Sequence, residues 1–197
     1  MTPAENFNFI NSYLSRMGPE IRANGGIIDK YIGDAIMALF PGHPEDAIAS
    51  AVAMQRRLLE YNQHRAKSGY APISVGIGVN TGKVMLGTVG EHERMDGSVI
   101  ADAVNLCSRL ETLTRVYGSY ILTTGKTVKA LTSRGRFTFR FVDRVRVRGR
   151  REIVLIFEVL DGEHQDQREL RLSYRAELAR AQRMYFGRQF KESLEAF

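Results

Sequence analysis

Gly25-Gly26-Ile27-Ile28-Asp29-Lys30-Tyr31-Ile32-Gly33-Asp34-Ala35-Ile36-Met37-Ala38-Leu39-Phe40 is the stretch whose reading decides the fold. Two apolar runs, Ile27 to Ile32 and Ala35 to Phe40, flank Gly33-Asp34. A glycine followed by a small polar residue between such runs reads as a two-residue hairpin with a type II′ turn. That pattern puts the Asp34 carboxylate at the tip of a strand pair, with Lys30 beside it. Read alone, Asp34 is either a turn former or a ligand for a hard cation.

The surrounding composition is that of a globular protein. At 197 residues, with 44% hydrophobic and 25% charged, the chain can bury an ordinary core and suggests one main domain plus an appendage. No apolar run approaches the roughly 18 residues that span a bilayer. Met1-Thr2-Pro3-Ala4-Glu5-Asn6 lacks both a basic start and an apolar signal core. A single cysteine, Cys107, excludes an internal disulfide framework and fits a reducing compartment, so a cytoplasmic location is expected. The net charge of +6 is concentrated, with eight arginines between Arg134 and Arg151. Such a cluster suits nucleic acid, an anionic surface, a phosphorylated small molecule or a plain solvated strand face.

Going along the chain, Phe7, Ile10, Leu14, Met17 and Ile21 mark an amphipathic helix over 4–23, capped near Thr2, with a kink or break expected near Gly18-Pro19. After the hairpin, a second helix runs from Glu45 to about Lys67. Residues 73–79 and 84–89 read as paired strands across a turn at 80–83, and residues 90–98 as a loop. A helix from about 100–102 to Tyr117 follows, then a short strand at 120–123 and a short helix at 125–132. Residues 137–147 and 152–160 are two further strands, 161–167 a polar linker, and the chain is helical from Leu170 with a break near Gly187. This order argues an α+β sandwich with helices on one face of a largely antiparallel sheet.

A second informative stretch is Met95-Asp96-Gly97-Ser98-Val99-Ile100-Ala101-Asp102-Ala103-Val104-Asn105-Leu106-Cys107-Ser108-Arg109-Leu110-Glu111. Asn105 and Arg109 lie four apart on a helix and share a face. They could hold a ribose and a phosphate, or be a surface amide and an ion-paired guanidinium. In Asp143-Arg144-Val145-Arg146-Val147-Arg148-Gly149, alternate arginines line one strand face and end at a glycine turn. No aromatics interleave there to stack on bases, which weighs against nucleic acid. The four histidines lack cysteine partners at zinc spacing. Cys107 reads as a small buried residue.

Together these stretches resemble the catalytic domain of class III nucleotidyl cyclases of the bacterial type. Gly26 to Phe40, Val99 to Glu111 and Val145 to Gly149 carry the likeness, with Gly76-Ile77-Gly78-Val79-Asn80-Thr81-Gly82 between them. The resemblance covers residues 1–160. Residues 161–169 form a linker, and 170–197 a helical extension that is similar to the start of a tetratricopeptide repeat or is a plain packing helix. The implied fold is a ferredoxin-like α+β sandwich.

The resemblance implies conversion of ATP to cyclic AMP and pyrophosphate, with ATP favoured over GTP and acceptance of GTP as a second substrate left open. Asp34 would be one of two aspartates holding a pair of Mg²⁺ or Mn²⁺ ions. Asn105 would orient the ribose, and Arg109 would stabilise charge on the transferring phosphorus. Arg148 stands where the family has a phosphate-binding lysine, and Lys30 with Ser98 would select adenine. The functional unit would be a homodimer with sites built across its interface, and an upstream regulatory domain is expected. The family's opening strand, which carries the other metal aspartate, has no match here. The expectation is therefore an N-terminally truncated domain, inactive or weak as it stands. A catalytically inert regulatory module and a basic nucleic-acid-binding domain are the alternatives.

Overall fold

The computed structural model describes residues 2–91, 94–146 and 152–197, with backbone alone at 89–90, 94–98, 100 and 134. Helix α1 (Pro3–Ala23) opens with a capping box: Thr2 accepts from the Glu5 amide, and the Glu5 carboxylate accepts from the Thr2 amide. The expected break at Pro19 does not occur, and the helix runs on to Ala23. Met17, Gly18 and Ile21 around it are buried, so tertiary packing outweighs the one missing backbone bond. Gly25 and Gly26 close the helix as a Schellman motif, donating to the carbonyls of Arg22 and Ile21, with Gly25 at a φ of +76°. A Cβ on Gly26 would meet Ile21 and Phe40 at 2.6 Å, so only glycine lets the chain turn back this tightly.

Strands β1 (Ile27–Ile32) and β2 (Ala35–Leu39) form the hairpin, with Ile32 opposite Ala35. Helix α2 (Pro44–Lys67) follows and packs on α1. Tyr13, Met17 and Ile21 of α1 and Met54, Leu58 and Tyr61 of α2 make one core, with Ile28, Ile36, Ala38 and Phe40 of the hairpin against it. Full burial of each such side chain contributes about 2 kcal/mol.

Strand β3 is shorter than 73–79, covering only Ile77–Val79. Ahead of it, side chains of α2 take the place of a strand partner. Asn62 accepts from the Ile73 amide (2.9 Å) and donates to its carbonyl (2.8 Å), while Gln55 donates to the Val75 carbonyl (2.7 Å). The partner expected for β3 goes elsewhere. Strand β4 (Met85–Glu91) pairs antiparallel with β5 (Arg94–Ile100) as a separate arm, so most of the expected loop at 90–98 is strand. Arg94, Asp96, Gly97 and Ser98 disguise β5 as a loop, since they break the apolar alternation by which a strand is read.

Helix α3 (Asp102–Tyr117), β6 (Ile121–Thr124), α4 (Gly125–Ala130), β7 (Phe139–Arg146) and β8 (Ile153–Val159) complete the domain. The main sheet has the order β3-β6-β8-β7, with β3 parallel to β6 and the rest antiparallel. Helices cover both of its faces, not one. Ile121 and Val159 face α2, whereas Leu122 and Ile156 face Leu110 of α3. All four residues of β6 are buried, as a strand between two helical layers requires.

Helices α5 (Gln165–Ser173), α6 (Arg175–Phe186) and α7 (Phe190–Ala196) end the chain. Gln182 of α6 donates to the Val142 carbonyl (2.6 Å), and Phe186 lies against Phe141, which seats the helix on β7. Residues 161–164 are tied down as well. Asp161 accepts from the Thr138 amide (2.6 Å), and Glu163 is buried.

Glu163 belongs to a buried charge network. Glu158 of β8 pairs with Arg140 (2.6 Å) and with Arg171 (3.3 Å), and Arg171 also pairs with Glu163 (2.9 Å). Burial pushes the Glu163 carboxyl up to about 7, helped by Glu158 and opposed first by Arg171. Its folded value thus exceeds its ordinary 4.5, so the folded state holds the extra proton between those limits. Stability from this group is complete below about 4.5 and is lost as pH rises through about 7. Glu45 acts outside that window. Hydrogen bonds from Thr132 and Ser133 hold it down to about 2, so its contribution is lost only as pH falls towards that value. We expect a lower urea midpoint at pH 8 than at pH 5.5, and a flatter dependence in Glu163→Gln.

Candidate active site

The turn at Gly33-Asp34 is as the sequence predicts. Gly33 has a φ of +64° and Asp34 is not at positive φ, the sign pattern of a type II′ turn. Asp34 is exposed at the tip. Beneath it lies Tyr13 of α1, whose hydroxyl is pushed up to about 12, by burial first and by the Asp34 charge second. Sequence reading passed over Tyr13, since a helical aromatic at core spacing carries no sign of what lies above it.

Lys30 is half-buried on β1, and its neighbour Asp29 was not singled out from the sequence either. Ile28 pairs with Ala38 but Lys30 with Met37, so Asp29 is the extra residue of a β-bulge. The Lys30 Nζ lies 3.4 Å from Asp29 Oδ2. An acid–base doublet inside an apolar strand, where neighbours should point to opposite faces, is the signal that could have revealed it.

Asn105 and Arg109 are both exposed on α3, while Leu106 and Leu110 between and after them are buried. The helix therefore presents the amide and the guanidinium outwards, one turn apart. Its seat on β3 is set by glycines: a Cβ on Gly78 would collide with the Cys107 carbonyl, and one on Gly76 with Thr114. The Cys107 Sγ donates to the Gly78 carbonyl (3.0 Å), and burial lifts the thiol to about 11, which makes it a packing residue. Asn80 fixes the start of α3 by donating to the Ala103 carbonyl (3.0 Å) while accepting from Thr124 (3.1 Å). Ala101 precedes the helix in an extended conformation open to any residue.

Ser98 lies on β5 opposite Gly87. Arg148 lies outside the described residues. Asp34 and Lys30 stand on the hairpin, supported by α1 and α2, whereas Asn105 and Arg109 stand on α3, supported by β3 and β6. Among the described residues no group of three acidic, histidine or cysteine side chains could hold a metal ion. No helix is long and apolar enough to cross a membrane among the described residues.

The chain is 47% identical over 165 residues to an adenylate cyclase of Anabaena cylindrica, covering 81% of this chain and 33% of that protein. It is 39% identical over 198 residues to the terminal-differentiation-specific adenylate cyclase of Dictyostelium discoideum, covering 96% of this chain and 9% of that one. The chain thus spans a third or less of the length of these two curated relatives. Among solved structures, the adenylyl cyclase CyaB of P. aeruginosa superposes with a TM-score of 0.70 at 27% identity, over 84% of this chain and 87% of that one. The guanylyl cyclase Cya2 does so with 0.67 at 31% identity, over 84% of each. Residues 1–159 match the family described as the adenylate and guanylate cyclase catalytic domain, and the chain belongs to it.

Proposed function

We propose that this chain is the catalytic unit of an adenylyl cyclase. The observation that carries the reading is the pairing of a Gly33-Asp34 hairpin tip with an outward Asn105–Arg109 pair on α3. In the reaction the ribose 3′ oxygen attacks the α-phosphorus of ATP. The bond from that oxygen to phosphorus forms, the bond to the β-phosphate oxygen breaks, the hydroxyl proton leaves and pyrophosphate departs.

Asn105 has the donors and acceptor to hold the ribose hydroxyls in line for this attack. Arg109 offers a fixed fork of donors to negative charge that grows at the phosphorus. Lys30 reads the base, joined by Ser98, and Arg148 contributes charge to the triphosphate. The preference for ATP over GTP rests on Lys30, an ammonium that only donates, meeting the adenine N1 acceptor.

Divalent metal use is general in the family, and we assign magnesium or manganese here with Asp34 as a ligand. The second carboxylate has no counterpart in residues 1–197, and the chemistry above is that of the chain's own side chains. A homodimer is the functional unit, supported by exposed apolar residues on the hairpin and the arm, among them Ile32 (61%), Met85 (73%) and Leu86 (68%). Residues 1–160 are assigned to the catalytic unit, 161–164 to a connection and the remainder to a helical extension, which α5 opens at Gln165 and not at 170. The α6–α7 pair has the form of one tetratricopeptide unit, with Ala181 buried and its carbonyl accepting from Ser193 (3.0 Å). A cytoplasmic site of action fits the ATP substrate.

The test is cyclic AMP and pyrophosphate formation from ATP with manganese. It is run on residues 1–197 and on the same chain preceded by a relative's first strand bearing the second aspartate. Turnover is expected from the latter. Equal turnover by both would refute the need for a second carboxylate, and turnover by neither would favour an inert regulatory module.

A further inference from the structure

We infer that Asp29 is a positioning residue that sets the choice between ATP and GTP by holding the Lys30 ammonium in place. The inference rests on the proposed reading of Lys30 as the base-contacting residue. It starts from the bulge in β1. In a regular strand Asp29 and Lys30 would point to opposite faces of the hairpin. The register slip between Ile28 and Lys30 removes that alternation, and Ile28, Asp29 and Lys30 are all half-buried in succession. Two side chains that should diverge are thereby brought to 3.4 Å, Nζ to Oδ2.

The partners differ in exposure. The Asp29 side chain is 15% exposed and Lys30 37%. Asp29 Oδ2 is buried and accepts no hydrogen bond. A buried carboxylate oxygen without donors needs a counter-charge, and the ammonium beside it is one. Lys30 in turn hangs from a flexible four-carbon stem whose reach is set by whatever holds its end. Asp29 therefore fixes where the three N–H donors of Lys30 are presented, at the more solvent-facing end of the pair.

That location matters for base choice because adenine and guanine present opposite hydrogen-bonding senses at N1 and at the substituent on C6. Adenine offers an acceptor at N1, where guanine carries an N–H donor beside its O6 acceptor. An ammonium held in one place meets a donor when guanine is bound, whereas a loose one can shift to O6. Specificity of this kind comes from the clash with the wrong ligand as much as from the fit to the right one. The bulge and Asp29 supply the constraint that creates the clash.

The experiment measures kcat/KM for ATP and for GTP in the form of the protein that turns over nucleotide. It compares wild type, Asp29→Asn, Asp29→Glu, Lys30→Ala and the double variant Asp29→Asn/Lys30→Ala, with a melting temperature for each. Asp29→Asn keeps the shape and removes the charge, and should lower the ATP/GTP ratio about tenfold, partly through a gain with GTP. Asp29→Glu should restore part of the ratio, and serves as the test if the asparagine variant does not fold. Lys30→Ala should collapse the ratio, and the double variant should be no worse, since the two residues act as one unit. A stable Asp29→Asn variant with an unchanged ratio, beside a collapsed ratio in Lys30→Ala, overturns the role of Asp29 alone. An unchanged ratio in Lys30→Ala overturns the base reading of Lys30 and the role of Asp29 with it.

Discussion

Replacing Arg109 with alanine should lower kcat for cyclic AMP formation by about 10²–10³-fold while changing KM for ATP much less. The split follows from where the guanidinium acts. Negative charge at the phosphorus is modest in bound ATP and grows as the 3′ oxygen approaches, so the interaction strengthens on the way to the transition state. Arg109→Lys should recover only part of the loss, because a point charge cannot reproduce a planar fork of donors. The packing of α3 should be unaffected, since Arg109 is exposed and the helix is held by Leu106 and Leu110 on its other side. Kinetics and a melting curve on the same samples check both statements. A raised KM with unchanged kcat would make Arg109 a ground-state contact and refute its assigned role.

Which parts of this were legible in the sequence depends on how local their causes are. The Gly33-Asp34 turn was, because a two-residue hairpin loop with positive φ at its first position has few sequence solutions. The shared face of Asn105 and Arg109 was also legible, since buried Leu106 and Leu110 fix the phase of α3. The arm was not. Strand β5 reads Arg94-Met95-Asp96-Gly97-Ser98-Val99-Ile100, a sequence without the apolar–polar alternation that marks a strand. Strand β3 was read too long because Asn62 and Gln55, on a helix remote in sequence, satisfy the backbone that a ladder would. The bulge at Asp29 depends on how β1 slides against β2, a pairing property that neither strand encodes alone. Glu158 stayed hidden for a similar reason. Its burial is tolerable only because Arg140 and Arg171, from two other elements, converge on it.

Mixing two inactive variants, Asp34→Ala and Arg109→Ala, should restore cyclic AMP formation to about a quarter of the wild-type rate. The expectation follows from two-fold symmetry. If each site takes Asp34 and Lys30 from one protomer and Asn105 and Arg109 from its partner, a mixed dimer concentrates both defects in one site. Its second site is then intact. Random exchange makes half of the dimers mixed, and half of the sites in each of those work. The two residue pairs stand on different supports in the protomer, the hairpin on α1 with α2 and α3 on β3 with β6, which suits donation to different sites. The apolar surface of Tyr31 and Ile32, beside Asp34, gives the hairpin tip a reason to meet a partner. The readout is the rate after co-refolding or co-expression, set against each variant alone and against a dilution series. Activity that stays at the sum of the two variants would place both pairs in one protomer's site, whereas recovery that falls with dilution would tie it to the dimer itself.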